Sequence, residues 1–164
     1  MPSFGVEINM GLFIGVVAFL SVTCHAGPGD VDIPFVKIEA GAGAWTHIKD
    51  QKLIVLKSDQ DYQTYNKTLG RITPTPKVDW GKDQLMAFHF GQAPSTGYGV
   101  QVKKLYRTAQ GTVVMEILET TPPKGMMQAM HVTYPFVIIK APIFKETPQI
   151  KVVKDTSLPG LDRV

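Results

Sequence analysis

Apolar and polar residues alternate along most of this chain with the two-residue period of strands. From Leu85 to Phe90, Met86, Phe88 and Phe90 fall on one face and Ala87 and His89 on the other, a half-buried pattern that Gly91 ends. From Val100 the alternation resumes, with Val102 inward and Gln101 and Lys103 outward, until the phase slips at Lys104 and recovers at Leu105. One unpaired residue near Lys103-Lys104, a β-bulge, restores the register. Thr108-Ala109-Gln110-Gly111 then reads as a hairpin connection, after which Val113, Met115 and Ile117 face inward and Glu116 faces water.

Outside this unit the pattern is shorter and more interrupted. Ile33 to Ala40 predicts one strand, broken by Gly41-Ala42-Gly43-Ala44, and Leu53 to Leu56 a second. Ser58 as N-cap, Asp59 and Asp61 in the first turn and Gly70 at the end predict a helix, and Tyr62, Tyr65 and Leu69 form its apolar face. Arg71 to Asp79, with Pro74 and Pro76, is a loop, as is Glu119 to Gly125. His131 to Lys140 predicts a strand closed by Ala141-Pro142, Ile150 to Val153 a short edge strand, and Asp155 onward a polar tail. The sum is a mainly β (α+β) fold, an antiparallel sheet or sandwich with one short helix. A sandwich and a single curled sheet satisfy the pattern equally.

The first residues depart from it. Met10 to Val22 carries no charge over about the length of a signal-peptide core, short of the ~20 residues that span a bilayer. Residues 1–26 are therefore expected to be a signal peptide or N-terminal anchor, with cleavage after Ala26 and an extracytoplasmic destination: periplasmic, cell-surface or secreted. The opening lacks Lys or Arg and contains Glu7. Cys24 offers lipid attachment as the alternative, with Ser21 and Thr23 in place of the usual flanking residues. Residues 27–52 then form an N-terminal extension of the same fold, 53–150 the β-rich domain, and 151–164 a terminal strand and tail. If Cys24 leaves with the leader, no thiol remains and the core alone supplies stability.

At 164 residues the chain has room for one domain with a genuine core. Its net charge of +3 comes from lysines scattered among acids, without the basic block that nucleic-acid binding needs, so no nucleic-acid partner is expected. Membrane contact is expected only through the leader or Cys24. The molecule is expected to be a monomer.

No catalytic constellation is visible. The histidines, His25, His47, His89 and His131, fall in no ligand-spaced motif, and no serine sits in a nucleophile elbow. His89, within a strand, reads as a solvent-facing or hydrogen-bonded structural residue. His131 with Met126, Met127 and Met130 offers soft ligands suited to Cu(I), but methionines near a strand start usually fill cores. Asp59 and Asp61 serve the helix start, and Glu116 and Glu119, three apart on a strand, point to opposite faces. Gly41-Ala42-Gly43 lacks the rest of a phosphate loop. No catalytic residue, metal or cofactor is expected, and Trp45 and Trp80 are expected to seal core margins.

The most informative stretch joins the two central strands: Ala93-Pro94-Ser95-Thr96-Gly97-Tyr98-Gly99-Val100. A tight polar turn with an aromatic at its exit presents backbone groups and one stiff ring to a partner at low entropic cost. Pro94, Ser95, Thr96, Gly97, Tyr98 and Gly99 are thus expected to contact a protein partner, with Pro122, Pro123, Lys124 and Gly125 as a second contact loop. The structural alternative is a connecting turn whose Tyr98 packs over the sheet edge.

The order of features resembles the C-terminal domain of the PrcB family, a protease-complex stability module of exported bacterial proteins. These features are the strand ending in Phe90-Gly91, the Pro-Ser-Thr-Gly-Tyr turn, the Gly111 hairpin, Glu119 with its Pro/Gly loop, and Gln128-Ala129 leading to Thr133-Tyr134-Pro135-Phe136-Val137-Ile138. The similarity runs from about Leu53 to Pro142. It implies a non-catalytic domain that binds and stabilises a protease or other extracytoplasmic partner.

A second resemblance is weaker. Ala93 to Tyr98 is similar to the Asn-Pro-Thr-Thr-Gly-Tyr loop of chagasin-type cysteine-peptidase inhibitors, and Tyr134-Pro135-Phe136 stands where that family has an Arg-Pro-aromatic loop. Ala93 replaces the Asn, Tyr134 replaces the Arg, and Pro122 to Gly125 brings one glycine to the middle loop. This likeness implies loop-mediated inhibition of a cysteine peptidase.

Overall fold

A computed structural model describes residues 29–43, 48–122 and 127–154. The expected leader with Cys24, Trp45, the contact residues Pro123, Lys124 and Gly125, and the tail from Asp155 lie outside them, as does Met126. Among the described residues eight strands and one helix follow in chain order: β1 Val31–Asp32, β2 Val36–Gly43, β3 Lys52–Leu56, α1 Asp59–Thr68, β4 Asp83–His89, β5 Gly99–Arg107, β6 Val113–Thr120, β7 Tyr134–Pro142 and β8 Gln149–Lys154. They form two four-stranded sheets, β1-β5-β6-β8 and β2-β7-β4-β3.

Two cores explain the layering. Met86 and Phe88 of β4 and Val137, Ile139 and Ala141 of β7 face the other sheet, meeting Val100, Leu105, Val113, Met115 and Ile117. The alternate residues, Leu85 and Ala87 of β4 and Phe136 and Ile138 of β7, meet Tyr62, Tyr65 and Leu69 of α1. The molecule is thus a two-sheet sandwich with a helix on the outer face of one sheet. β4 is not the half-buried strand expected from its alternation, because α1 covers the face that would otherwise be wet, and every residue from Gln84 to His89 is buried. A strand covered on both sides is apolar on both sides.

The helix follows its sequence signals closely. Ser58 Oγ accepts from the Asp61 N–H at 3.1 Å, and Gly70, at φ +64°, turns the chain out of the last turn. The hairpin and the bulge also stand where expected: β5 and β6 pair from Arg107↔Val113 to Gly99↔Thr120, with the register shift between Val102 and Lys104.

Other expectations need correction. The Gly41-Ala42-Gly43 segment does not break β2 but continues it, paired with Phe136, Pro135 and Tyr134. A Cβ at Gly41 would lie 3.4 Å from the Phe136 ring, so the glycine lets strand and ring approach. β6 extends through Thr120 into the expected loop, and β7 starts three residues later than His131 and runs on through Ala141 and Pro142. β8 exists but pairs parallel to β6, so the first sheet is not wholly antiparallel. Glu116 does not stand free in water. Its side chain, 12% exposed, lies 3.5 Å from Lys103 Nζ and 3.1 Å from Lys151 Nζ.

Candidate functional site

The loop between β4 and β5 is held on three sides. Gly91, at φ +95°, leads the chain out of β4 so tightly that a Cβ there would stand 2.6 Å from the Lys49 carbonyl oxygen, and the Gln92 N–H donates to that same oxygen at 3.0 Å. Ala93 and Thr133 form a two-way backbone bridge, the Ala93 N–H donating to the Thr133 carbonyl at 2.8 Å and the Thr133 N–H to the Ala93 carbonyl at 3.0 Å. The Thr133 hydroxyl donates to the Ser95 carbonyl at 3.0 Å, and the Thr96 N–H to the Ala129 carbonyl at 3.2 Å. On the third side, a Cβ at Gly97 would meet Gln128 Oε1 at 2.7 Å and Pro122 Cβ at 3.0 Å, and one at Gly99 would meet Thr120 Oγ1 at 2.7 Å. Gln51 Nε2 donates to the buried Glu119 at 3.1 Å, tying the end of β6 to the stretch before β3.

The expected contact residues therefore differ in what they offer. Pro94 and Gly97 are exposed, Thr96, Tyr98, Gly99 and Pro122 are partly covered, and Ser95 is buried with its hydroxyl turned to the Thr96 carbonyl. Ser95 is a brace for the loop and presents nothing outward. The Tyr98 ring is half-buried, with its centroid 6.2 Å from that of Phe90 and the planes tilted by 43°. It packs on the strand end and still reaches solvent, which combines the two readings of this side chain. Gly97 takes φ +90°, the backbone reason for glycine at the tip.

The strip from Met127 to Val132 was not expected at this surface. The methionines beside His131 read as core fillers, yet Met127 is 100% exposed and Met130 93%, with Val132 partly exposed between the strip and Thr133. Residues 127–132 take no regular structure, and what holds them is the loop itself, through Ala129 and Gln128. Two large thioethers stand in water on either side, in sequence, of Ala129, whose carbonyl pins Thr96, so the strip that carries them is joined to the Tyr98 loop. The signal in the sequence was the absence of strand alternation from Met127 to Met130. Among the described residues no cluster of His, Cys, Asp or Glu is arranged to hold a metal.

Tyr134-Pro135-Phe136, the segment likened to an inhibitory loop, is no loop. It opens β7, pairs with Gly41 to Gly43, and buries Pro135 and Phe136, because Phe136 is needed in the core under α1.

The stretch from β4 to β7, which carries this surface, also carries the family likeness. Residues 85–142 match the PrcB C-terminal family. The resemblance seen in the sequence from Leu53 onward thus holds over β4 to β7, and the matched PrcB C-terminal segment contains the Tyr98 loop, Pro122 and the Met127 to Val132 strip together. No curated protein and no solved structure matches the chain.

Proposed function

We propose that this chain is an exported, non-catalytic binding domain that docks on a protease, or on the complex a protease forms, and stabilises it. The PrcB C-terminal match supports association with a protease complex at the level of the family. The observation that carries the reading is the junction of the Tyr98 loop with the strip bearing Met127 and Met130. A braced turn with a half-buried aromatic stands beside two nearly fully exposed apolar side chains, all within the matched segment. Rigid aromatic anchors beside adaptable methionines suit a protein partner, since the first lose little entropy on binding and the second conform to the opposing surface.

The contact residues in this reading are Pro94, Thr96, Gly97, Tyr98, Gly99 and Pro122, joined by Met127, Met130 and Val132. Ser95 acts only by supporting the loop. The experiment is affinity capture with the full chain from an extracytoplasmic extract, followed by the half-life of each captured peptidase with and without the chain. A peptidase that is captured and lives longer in the chain's presence supports the reading. Capture without any peptidase, or a peptidase whose lifetime is unchanged, overturns it.

A further inference from the structure

Among the described residues each sheet of the sandwich has two edges, and the edges are not alike. β1 is two residues long, β2 carries the register shift between Lys37 and Glu39, and β8 brings Lys151 and Lys154 to its edge. Very short strands, bulges and lysines all discourage a further strand from adding. β3 has none of these between Leu53 and Leu56: it pairs with β4 without a register shift and carries no charge or proline there. Among the described residues, Lys52–Leu56 make backbone hydrogen bonds with β4 alone. Alternate residues of an edge strand turn both N–H and carbonyl away from the paired side, so β3 presents free donors and acceptors in a row.

A cavity of about 340 Å³ opens beside this edge; its walls include Ile48, Ile54, Val55, Leu56, Thr64 and Leu69. Ile54 and Leu56 pack toward α1, whereas Val55 packs toward the other sheet. Consecutive residues from both faces of a strand line one cavity only along the strand's edge. The opposite wall is α1, where Thr64 and Thr68 turn their hydroxyls onto the carbonyls of Gln60 and Thr64 at 2.8 and 2.9 Å, which leaves methyl groups as the free part of both side chains. The ends of the groove are charged. Lys52, exposed, shares the face of Ile54 and Leu56, and its charge is felt at His89. At the far end Asp61, also exposed, accepts the Lys57 N–H at 3.0 Å.

We propose that this groove binds an extended peptide segment of another protein, which adds at the free edge of β3 as a fifth strand to the sheet β2-β7-β4-β3. Its backbone bonds to β3, and an apolar side chain opposite Ile54 fills the cavity. An acid two residues to one side meets Lys52, and a base two residues to the other meets Asp61, all three on one face of the added strand. Two copies of this chain pairing β3 with β3 about Ile54 would set Lys52 against Leu56, so the charged ends call for a different sequence. The site shares no residue with the Tyr98 surface and does not rest on the function proposed above.

The test is an NMR titration of the full chain with the acetylated, amidated peptide Thr-Glu-Thr-Val-Thr-Lys-Thr and with its reversed sequence, which serve parallel and antiparallel addition. Saturable shifts at Ile54, Val55, Thr64 and Thr68 are expected with one of the two. For that peptide, N-methylation of the Val and, separately, of the Thr before it tells strand addition from simple apolar contact. Consecutive amides of a strand point to opposite sides, so one methyl should weaken binding by about tenfold or more and the other leave it nearly unchanged. Asp in place of the Val should also weaken it by about tenfold or more. Lys52→Glu should weaken binding several-fold, and a peptide with Lys in place of its Glu should recover it. Thr64→Arg, on an exposed helix position, should crowd the cavity and weaken binding without lowering Tm. No shift at these residues up to about 5 mM of either peptide overturns the proposal. So do equal effects of the two methylations, undiminished binding of the Asp peptide, variants that bind like the wild type, or shifts at β3 that follow the concentration of the chain alone and so mark self-pairing.

Discussion

The Tyr65 hydroxyl on α1 lies 3.0 Å from Nε2 of His89 on β4, and both side chains are buried. This contact joins the helix to β4, and the His89 ring stacks on Phe136 with centroids 6.0 Å apart. Burial pushes the Tyr65 phenol above its ordinary range, so it stays protonated, and burial with the Arg71 and Lys52 charges pushes His89 down to about 4. The unfolded chain, with an imidazole near 6.5, takes up the proton first as pH falls. Stability present above pH 6.5 is therefore lost progressively between pH 6.5 and about 4, by about 3 kcal/mol at the lower end. Urea unfolding across that range checks this: His89→Gln should flatten the profile, and an unchanged slope would place the titration elsewhere.

Gly91 and Gly111 share a backbone conformation, φ +95° and +86°, but not surroundings. A methyl at Gly91 would stand 2.6 Å from the Lys49 carbonyl oxygen, which cannot move without disturbing the Gln92 hydrogen bond, whereas at Gly111 nothing lies within 4 Å. Gly111→Ala should cost about 1 kcal/mol, the conformational penalty alone, and Gly91→Ala about 3 kcal/mol or more. Equal losses in denaturant unfolding would show that the crowding at Gly91 relaxes freely.

Gly97→Ala combines a φ of +90° with contacts at 2.7 Å and 3.0 Å, and should lower stability by about 1–2 kcal/mol. Tyr98→Ala loses a half-buried ring and should cost about 1 kcal/mol, so Tyr98 is the cleaner probe of contact. Thermal unfolding of the two variants checks the order; a stable Gly97→Ala would mean that Gln128 and Pro122 do not pack against the tip.

Local chemistry was legible where it alone decides the structure. Ser58, the acids at the helix start and Gly70 specify α1 without help, and the phase slip at Lys104 can be repaired only by a bulge. What sequence could not reveal depends on partners distant in the chain. Ala87 and His89 sit on the wet face of an isolated strand, and only the arrival of α1 makes that face dry. Gly41 to Gly43 break a strand by propensity but are kept extended by pairing with β7, and at Gly41 the Phe136 ring fills the space a side chain would take. Met127 and Met130 belong by composition to a core, and they are exposed on a strip that joins no sheet and is tied to the Tyr98 loop through Ala129 and Gln128.

The central claim is that the Tyr98 loop and the methionine strip form one protein-binding surface. Its most direct test is capture of a peptidase from an extracytoplasmic extract by the wild-type chain and by the triple variant Tyr98→Ala, Met127→Ser, Met130→Ser. The two methionine changes lie on fully solvated side chains and should alter stability by less than about 0.5 kcal/mol each. The account predicts a folded triple variant that loses the peptidase the wild type retains. A folded variant that captures it equally well would contradict the account.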